Sequence, residues 1–293
     1  LDCLYIFKDE SIWRVCGSDR DTFTLEQMVR GIGTCSNQGV SIINNQFVFP
    51  TCQGDVVIYD GGITVQIIST KIEGTITGLN LDRFDSARAA SFDDGTGGED
   101  YYLTVSNVGS ATHNLVLLYD TYHQAWTKFS GISANALAVY EIGTLQQALA
   151  FADYDGFTNR YPNTDSDNGA AINAFWQSGQ LRFDIPFQKI MRLVQVFVNQ
   201  EGSYNLTFEY RIDFEATGTS NTINLAGSGA LWDTAVFDTD IYGDLITTVG
   251  RVELFRPAEF FQWRVSNANA TEPFTVKGLR IWIEPTERTG GIT

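Results

Sequence analysis

Apolar positions in the first half of the chain occur in short runs that end in turn-forming residues. The run 115–119 ends in Tyr-Asp, and after a short polar turn a second run begins at Trp126. The same order of apolar run, polar turn and second run recurs at 4–15, at 56–69 and, less regularly, at 148–162. Short apolar runs bounded by turn residues are typical of antiparallel strands. The chain therefore repeats one hairpin-like unit.

The flanks of two repeats extend each of them to four predicted strands, over residues 39–70 and 87–130. Four-stranded antiparallel units at intervals of about 40–60 residues are typical of β-propeller blades. We expect about three and a half blades, and we assign residues 1–165 to a β-propeller-like part that is incomplete at its N-terminal side. A plain antiparallel meander is the alternative. Only Thr24–Arg30 is predicted to be a short helix.

The second half of the chain has longer strands with strict alternation of apolar and polar residues. Residues 175–218 and 249–287 each predict three strands, separated by a loop rich in Gly, Ser and Thr. This pattern predicts a β-sandwich over residues 166–287 and a disordered tail over 288–293. The predicted fold class is therefore all-β, with β-propeller-like blades followed by an antiparallel β-sandwich.

The charge of the chain limits the partners it can have. The 293 residues carry a formal net charge of −16, which argues against general binding to nucleic acids or anionic membranes. No apolar run approaches the roughly 20 residues that span a bilayer, so we predict no membrane-spanning segment. The chain begins at Leu1, without Met, and we expect it to be the later part of a longer chain or a processed product.

All four cysteines lie in the first fifth of the chain, at Cys3, Cys16, Cys35 and Cys52. Their spacing contains no CxxC pair, which argues against a zinc site. Cys3 and Cys16 lie symmetrically about a polar turn and are predicted to be cross-strand neighbours. Two buried thiols are favoured there over a disulfide. The sequence leaves open whether Cys3–Cys16 or Cys35–Cys52 are bonded.

Several segments resemble the tail hub or nozzle proteins of short-tailed bacteriophages. "SIINNQFVFPTCQGDVVIYDGG" (41–62) and "LVLLYDTYHQAWTKFSG" (115–131) are similar to their propeller strands. "QKIMRLVQVFVNQEGSYNLTFEYRID" (188–213) is similar to the β-sandwich that closes many of these chains. The resemblance covers roughly residues 39–285 and departs from the family in its missing N-terminal blades.

The resemblance implies a non-enzymatic structural protein of a virion tail that is assembled in the host cytoplasm. It implies a homo-oligomeric ring, usually of six subunits in that family, below the portal and adaptor proteins and next to tail fibres or a spike. Double-stranded DNA passes through such a ring without specific binding, and an acidic lumen suits that passage. No cofactor is expected. The alternatives are a glycan-binding or glycan-cleaving β-propeller protein, and a baseplate or decoration β-protein without a channel.

No catalytic residue is predicted. Acidic loops provide weak candidates for calcium ligands, because hard cations prefer oxygen donors, although solvated turns explain them as well. These candidates are Asp93, Asp94, Asp153, Asp155, Asp165 and Asp167. The only two histidines, His113 and His123, are predicted to lie in turns or at the surface.

Tryptophans can stack on sugars where they are exposed. Of the six tryptophans in the chain, five are candidates for this role, and four of those five lie in or beside predicted strands, which favours core packing and leaves a carbohydrate-binding module as the rival interpretation. The five are Trp126, Trp176, Trp232, Trp263 and Trp282.

Overall fold

The chain folds into two compact β-rich units, which comprise Leu1–Asn163 and Thr164–Thr293. A computed structural model describes residues 3–93, 98–143, 147–161, 167, 170–183, 188–226 and 247–285. Nearly all of the described secondary structure is strand, which confirms the predicted all-β fold with propeller-like blades and a sandwich. Within these ranges no helix has both the length and the apolar character needed to cross a membrane. The predicted tail at 288–293 lies outside the described residues.

The first unit consists of four antiparallel sheets, each built from strands that are consecutive in the chain. The predicted four-stranded units at 39–70 and 87–130 are confirmed as the second and third sheets. The first sheet contains β1 (Cys3–Lys8), β2 (Ser11–Cys16) and β3 (Thr24–Arg30), and the second contains β4 (Ser41–Ile43), β5 (Gln46–Pro50), β6 (Val56–Tyr59) and β7 (Gln66–Ile67). The third contains β8 (Arg88–Asp93), β9 (Glu99–Val105), β10 (Leu115–Asp120) and β11 (Ala125–Ser130), and the fourth contains β12 (Ala136–Glu141), β13 (Gln147–Ala152) and β14 (Thr158–Tyr161).

Three apolar clusters lie between successive sheets of the first unit. Val57 and Tyr59 of the second sheet pack with Ile12 of the first. The other face of the second sheet packs against the third sheet, and the third packs against the fourth. Because each sheet buries its faces only against its neighbours, the sheets stack as propeller blades do.

The predicted helix at Thr24–Arg30 is wrong, because this segment is strand β3. It pairs antiparallel with β2, from Ser11 opposite Arg30 to Cys16 opposite Thr24. Pairing with β2 supplies hydrogen bonds to the backbone and buries Val29, so tertiary contacts override local helix propensity. The helical segments of the described chain lie between the second and third sheets, as 3₁₀ turns at Ser69–Ile72 and Leu81–Ser86 and the single turn α1 (Glu73–Ile76).

Cys3 and Cys16 pair directly across β1 and β2, as predicted, but they form a disulfide and not two buried thiols. Their Cα atoms are 4.4 Å apart, which lies within the range that a disulfide can bridge. The expectation of free thiols at these positions is therefore wrong. Cys35 and Cys52 are free and half-buried.

The second unit is a sandwich of two antiparallel sheets with one shared core, as predicted. One sheet has the order β15-β20-β17-β18 and the other β19-β16-β21. Val194, Phe208 and Val265 come from both sheets and are fully buried in the core between them. The strands are β15 (Ala174–Gln177), β16 (Lys189–Asn199), β17 (Asn205–Ile212), β18 (Thr219–Asn224), β19 (Thr247–Ala258), β20 (Phe261–Asn267) and β21 (Val276–Pro285).

Candidate functional site

The outer side of the sheet β19-β16-β21 carries aromatic and hydrogen-bonding side chains in register. Val194 and Val196 of β16 point into the core, so the residues that alternate with them point outward. Gln195 lies opposite Arg251 on one side and Arg280 on the other. We call this surface the aromatic face, and its principal residues are Gln195, Phe197, Arg251, Phe255, Arg280 and Trp282.

Arg280 lies between two aromatic rings of this face. Its guanidinium carbon is 5.6 Å from the ring centroid of Phe197 and 5.5 Å from that of Trp282. A guanidinium over a ring face is attracted by the ring quadrupole, so the three side chains hold one another in place. Trp282 nevertheless keeps 39% of its surface exposed. The face therefore presents an accessible indole whose position is fixed from the side.

A shift of register brings a second exposed aromatic residue onto the face. Between the pairs Met191–Arg256 and Leu193–Glu253, strand β16 has one residue, Arg192, where β19 has two. The second of these, Phe255, adopts a left-handed backbone with φ 47°. Such bulge positions favour glycine, and a bulky residue there is a genuine conformational outlier.

The side chain of Phe255 gains little from burial, because 60% of its surface is exposed. The Arg192 guanidinium lies 5.5 Å from the centroid of its ring and also forms an ion pair with Glu284. Backbone strain of this kind is found preferentially at functional sites. The strained and exposed Phe255 beside a guanidinium makes this end of the face a candidate binding surface.

Charges on the aromatic face are partly paired. Besides the Arg192–Glu284 pair, Arg251 and Glu253 lie 3.2 Å apart along β19. These pairs are solvent-exposed and contribute little to stability. Arg280 forms no ion pair with the described residues, so its guanidinium donors remain directed to solvent or to a ligand.

Gly278 leaves a depression on the face next to Phe197, which is its cross-strand partner. A Cβ added at Gly278 meets no atom within 4 Å, so the space above it is open. Gly278 therefore adds no side chain to the face beside Phe197, and Arg280 is the residue of β21 that contacts this ring. The depression and the two exposed rings form a shallow surface and not a deep cleft.

The tryptophans divide between core and surface. Trp263 is buried, and Trp126 is half-buried with its indole N–H donating to the carbonyl oxygen of Ile68 at 2.9 Å, so core packing is confirmed for these two. The prediction is wrong for Trp282 and for Trp176, which lies on the edge strand β15 with 53% of its surface exposed. Trp232 lies outside the described residues.

The structure does not assemble the calcium candidates into a site. In the described part of the chain no three His, Cys, Asp or Glu side chains lie close enough to hold one ion. Asp153 accepts hydrogen bonds from the backbone N–H groups of Phe157 and Asp155. These bonds lower the pKa of Asp153, and the bond from Phe157 has the larger effect. Asp93 ends β8, and Asp155 and Asp167 are exposed. Asp94 and Asp165 lie outside the described residues.

The two histidines have different surroundings. His123 is exposed in the β10–β11 turn, as predicted, with Nδ1 2.6 Å from Asp120 Oδ2. His113 lies in the connection between β9 and β10, but it is buried, so a surface position is wrong for this residue. Its Nδ1 lies 3.0 Å from Ser106 Oγ and its Nε2 donates to the carbonyl oxygen of Ser86 at 2.9 Å. Burial lowers the pKa of His113, which favours the neutral ring.

A small pocket of about 160 Å³ lies between the second and third sheets of the first unit. Its polar lining consists mostly of neutral amides, including Gln46, Gln66 and Gln124. Ligand pockets usually measure about 300–1,000 Å³, so this one is small. It has no titratable group suited to acid–base chemistry except the phenol of Tyr119, whose pKa is raised by burial.

No protein-family profile and no curated protein matches the chain. The solved structures it resembles include an exo-β-1,3-galactanase from Phanerochaete chrysosporium with galactose. The two chains are 9% identical and have a TM-score of 0.23, and the match covers 96% of this chain and 68% of the galactanase chain. The similar structures also include a family 43 arabinoxylan arabinofuranohydrolase from Bacillus subtilis with cellotetraose, which is 11% identical with a TM-score of 0.25 over 95% and 76%. A third is described as a glycoside hydrolase, with 8% identity and a TM-score of 0.20 over 96% and 97%.

These comparisons contradict two predictions, namely a structural tail nozzle and the absence of enzymatic activity. They agree better with the alternative of a glycan-binding or glycan-cleaving β-propeller protein. Similarity at TM-scores of 0.20–0.25 assigns no mechanism and no catalytic residue to this chain. The resemblance to tail proteins, the ring, its partners and its location in a virion stay predictions.

Proposed function

We propose that this chain binds glycans on the aromatic face of its β-sandwich. The observation that carries the proposal is the pair of exposed aromatic side chains, Phe255 and Trp282, each held beside a guanidinium on the same side of one sheet. Aromatic rings of this kind offer flat apolar surface to a ligand. Arginine and glutamine side chains on the same face offer hydrogen bonds in fixed directions.

Sugars match this combination of groups. A pyranose ring has an apolar side of C–H groups that packs on an aromatic ring, and hydroxyls at its edge that exchange hydrogen bonds with planar side chains. On the aromatic face, Gln195 lies between Arg251 and Arg280 and provides both a donor and an acceptor. The residues therefore supply stacking and hydrogen bonding at neighbouring positions.

The shape and charge of the surface favour an extended glycan over other ligands. The face is an open sheet surface, so a chain of sugar units can lie along it without entering a cleft. A net charge of −16 disfavours nucleic acids, whose binding depends on cationic surfaces. The free donors of Arg280 suit hydroxyl or carboxylate oxygens, so the ligand is a neutral or uronate-containing polysaccharide.

Affinity electrophoresis in gels that contain single soluble polysaccharides tests the proposal. The panel includes arabinoxylan, β-1,3-galactan, cellulose-derived glucans and a uronate-containing polymer. We expect at least one polysaccharide to retard the wild-type chain, and Trp282→Ala to abolish that retardation. Trp176→Ala is the matched control, because Trp176 is also exposed and lies in the other sheet of the same unit. Equal retardation of the wild type and Trp282→Ala contradicts the proposal.

The same samples show whether the chain also cleaves the polysaccharide it binds. Reducing ends released from each polysaccharide are measured over time at constant protein concentration. Release by the wild-type chain identifies the chain as a glycan-cleaving enzyme. Binding without release of reducing ends means that the chain recognises the glycan through the aromatic face and does not cleave it.

A further inference from the structure

Cys35 and Cys52 form a pair of neighbouring thiols in the first unit. Cys35 lies in the connection between β3 and β4, and Cys52 lies in the β5–β6 turn, seventeen positions later. Cys35 lies close enough to Cys52 to contribute to the raised pKa of its thiol, and the Cys52 thiol donates to the carbonyl oxygen of Asp9 at 3.7 Å. Both cysteines are half-buried and unbonded. They play no part in the aromatic face, which belongs to the second unit.

Backbone contacts hold the two segments together independently of the thiols. The N–H of Thr34, next to Cys35, donates to the carbonyl oxygen of Lys8 at 2.9 Å. Because the Cys52 thiol bonds to the adjacent carbonyl of Asp9, both cysteines are attached to the same β1–β2 turn. Close packing adds to this, since a Cβ on Gly39 would lie 2.9 Å from the ring of Pro50. The fold therefore holds the two cysteine-containing segments against the same turn before any covalent bond forms.

We propose that Cys35 and Cys52 form a second disulfide when the chain meets a low-molecular-weight disulfide such as glutathione disulfide. The bond ties the connection after the first sheet to the second sheet, on the side opposite the Cys3–Cys16 bond of the β1–β2 hairpin. Cys3 and Cys16 lie at the open end of this hairpin, whereas Cys35 and Cys52 lie beside its turn. The two disulfides then secure both ends of the first hairpin.

The reaction proceeds by two thiol–disulfide exchanges. The Cys35 thiolate attacks one sulfur of glutathione disulfide, which forms a mixed disulfide and releases one glutathione thiolate. Cys52 then attacks the Cys35 sulfur, gives up its proton to solvent and releases the second glutathione. Two protein thiols are oxidised and one glutathione disulfide is reduced to two glutathione molecules. Burial, together with the neighbouring Cys35, raises the pKa of Cys52 and disfavours its thiolate, so we expect Cys35 to make the first attack.

The test uses the full chain in a glutathione buffer, followed by alkylation of free thiols and mass spectrometry without reduction. Trypsin cleaves after Arg30 and Lys71 and places both cysteines in peptide 31–71, whereas Cys3 and Cys16 lie in other peptides. We expect this peptide to be lighter by two hydrogen atoms and to carry no alkyl group. Further cleavage with chymotrypsin after Phe47 leaves the two cysteine-containing fragments covalently joined.

Variants separate the roles of the two thiols. With glutathione disulfide, Cys52→Ser accumulates a mixed disulfide at Cys35, and Cys35→Ser forms the equivalent adduct at Cys52 at least about tenfold more slowly. The double variant Cys35→Ser/Cys52→Ser keeps the Cys3–Cys16 bond and serves as the folded reference. Its thermal midpoint lies roughly 5–10 °C below that of the oxidised wild type, because the bond closes a loop of the unfolded chain.

Two results overturn the proposal. One is that Cys35 and Cys52 remain fully alkylated in a glutathione buffer that maintains the Cys3–Cys16 disulfide. The other is that either cysteine is found bonded to Cys3 or Cys16 in the folded chain.

Discussion

The guanidinium of Arg192 lies 5.5 Å from the ring centroid of Phe255, where the pairing of β16 shifts against both of its neighbours. Arg192 is the residue of β16 at the shift, and Phe255 is the residue of β19 with the left-handed backbone. Burial of the Phe255 ring does not offset the strain of its backbone, and its ring shares a sheet surface with Arg280 and Trp282. We therefore expect substitutions at this bulge to separate stability from ligand binding.

Replacing Phe255 with glycine tests this separation. The free energy of unfolding is expected to stay the same or to rise by up to about 1 kcal/mol, because glycine adopts a positive φ without strain. Glycan affinity is expected to fall about tenfold, which corresponds to about 1.4 kcal/mol of lost contact with the ring. Urea unfolding and calorimetric titration measure the two quantities.

Phe214→Gly is the matched control. Phe214 also has a positive φ, of 65°, and 64% of its surface is exposed, but it lies in the loop between β17 and β18. The control is expected to relieve strain without any loss of binding. A tenfold loss in this control, or unchanged affinity in Phe255→Gly, contradicts the assignment of the aromatic face.

Arg280 is expected to position the two rings that flank it and to donate to the ligand. Arg280→Met keeps an unbranched apolar side chain between Phe197 and Trp282 but removes the cation and its donors. Affinity is expected to fall about three- to tenfold, while stability changes by less than about 1 kcal/mol at this exposed position. Lys277→Met, which removes a cation from the same strand, is expected to bind as the wild type does. If Lys277→Met lowers the affinity as much as Arg280→Met does, the effect comes from net charge and not from the position of Arg280.

His113 makes the stability of the chain sensitive to mild acid. Its pKa is lowered in the folded state by burial, so the unfolded chain binds a proton at a higher pH than the folded chain does. The contribution of the neutral, buried His113 to stability is complete above the pKa of histidine in the unfolded chain, about 6.5. It is lost as the pH falls through the pKa of His113 in the folded chain. Urea unfolding at pH 7 and pH 5 is expected to show a smaller loss of stability in His113→Gln than in the wild type. An identical loss in both chains contradicts this role.

The Cys3–Cys16 disulfide is expected to stabilise the first unit. It links residues 13 positions apart, and removing a cross-link that closes a loop of this size costs about 3 kcal/mol. Cys3→Ser/Cys16→Ser is compared with the wild type by urea unfolding, with and without reductant. Reductant is expected to lower the free energy of unfolding of the wild type to that of the variant. If the two chains are equally stable before reduction, the disulfide makes no contribution to stability.

The blades and the sandwich were predictable because apolar periodicity and turn residues act locally. Asn44 and Asn45, for example, both adopt a positive φ in the turn between β4 and β5, as a tight hairpin turn requires. The strand at Thr24–Arg30 was not predictable in this way. Its conformation depends on pairing with β2, and no local pattern records that partner.

The aromatic face was only partly visible in the sequence. In β21, Trp282 alternates with Ile281 and Ile283 and shares a side with Arg280, so its polar neighbours already indicated an outward position. Phe255 gave no such signal, because its direction depends on the bulge between β16 and β19. The burial of His113 likewise depends on contacts with Ser86 and Ser106, which meet only in the folded chain.

Oxidative footprinting of the tryptophans distinguishes the aromatic face from the rest of the surface, because the wild-type chain carries its own control. Trp282 and Trp176 are both exposed, and trypsin places them in the separate peptides 281–288 and 161–182. The chain is oxidised with N-bromosuccinimide in the presence and absence of a polysaccharide that retards it. We expect the polysaccharide to protect Trp282 from oxidation and to leave Trp176 reactive. Full reactivity of Trp282 at saturating polysaccharide would contradict glycan binding on the aromatic face.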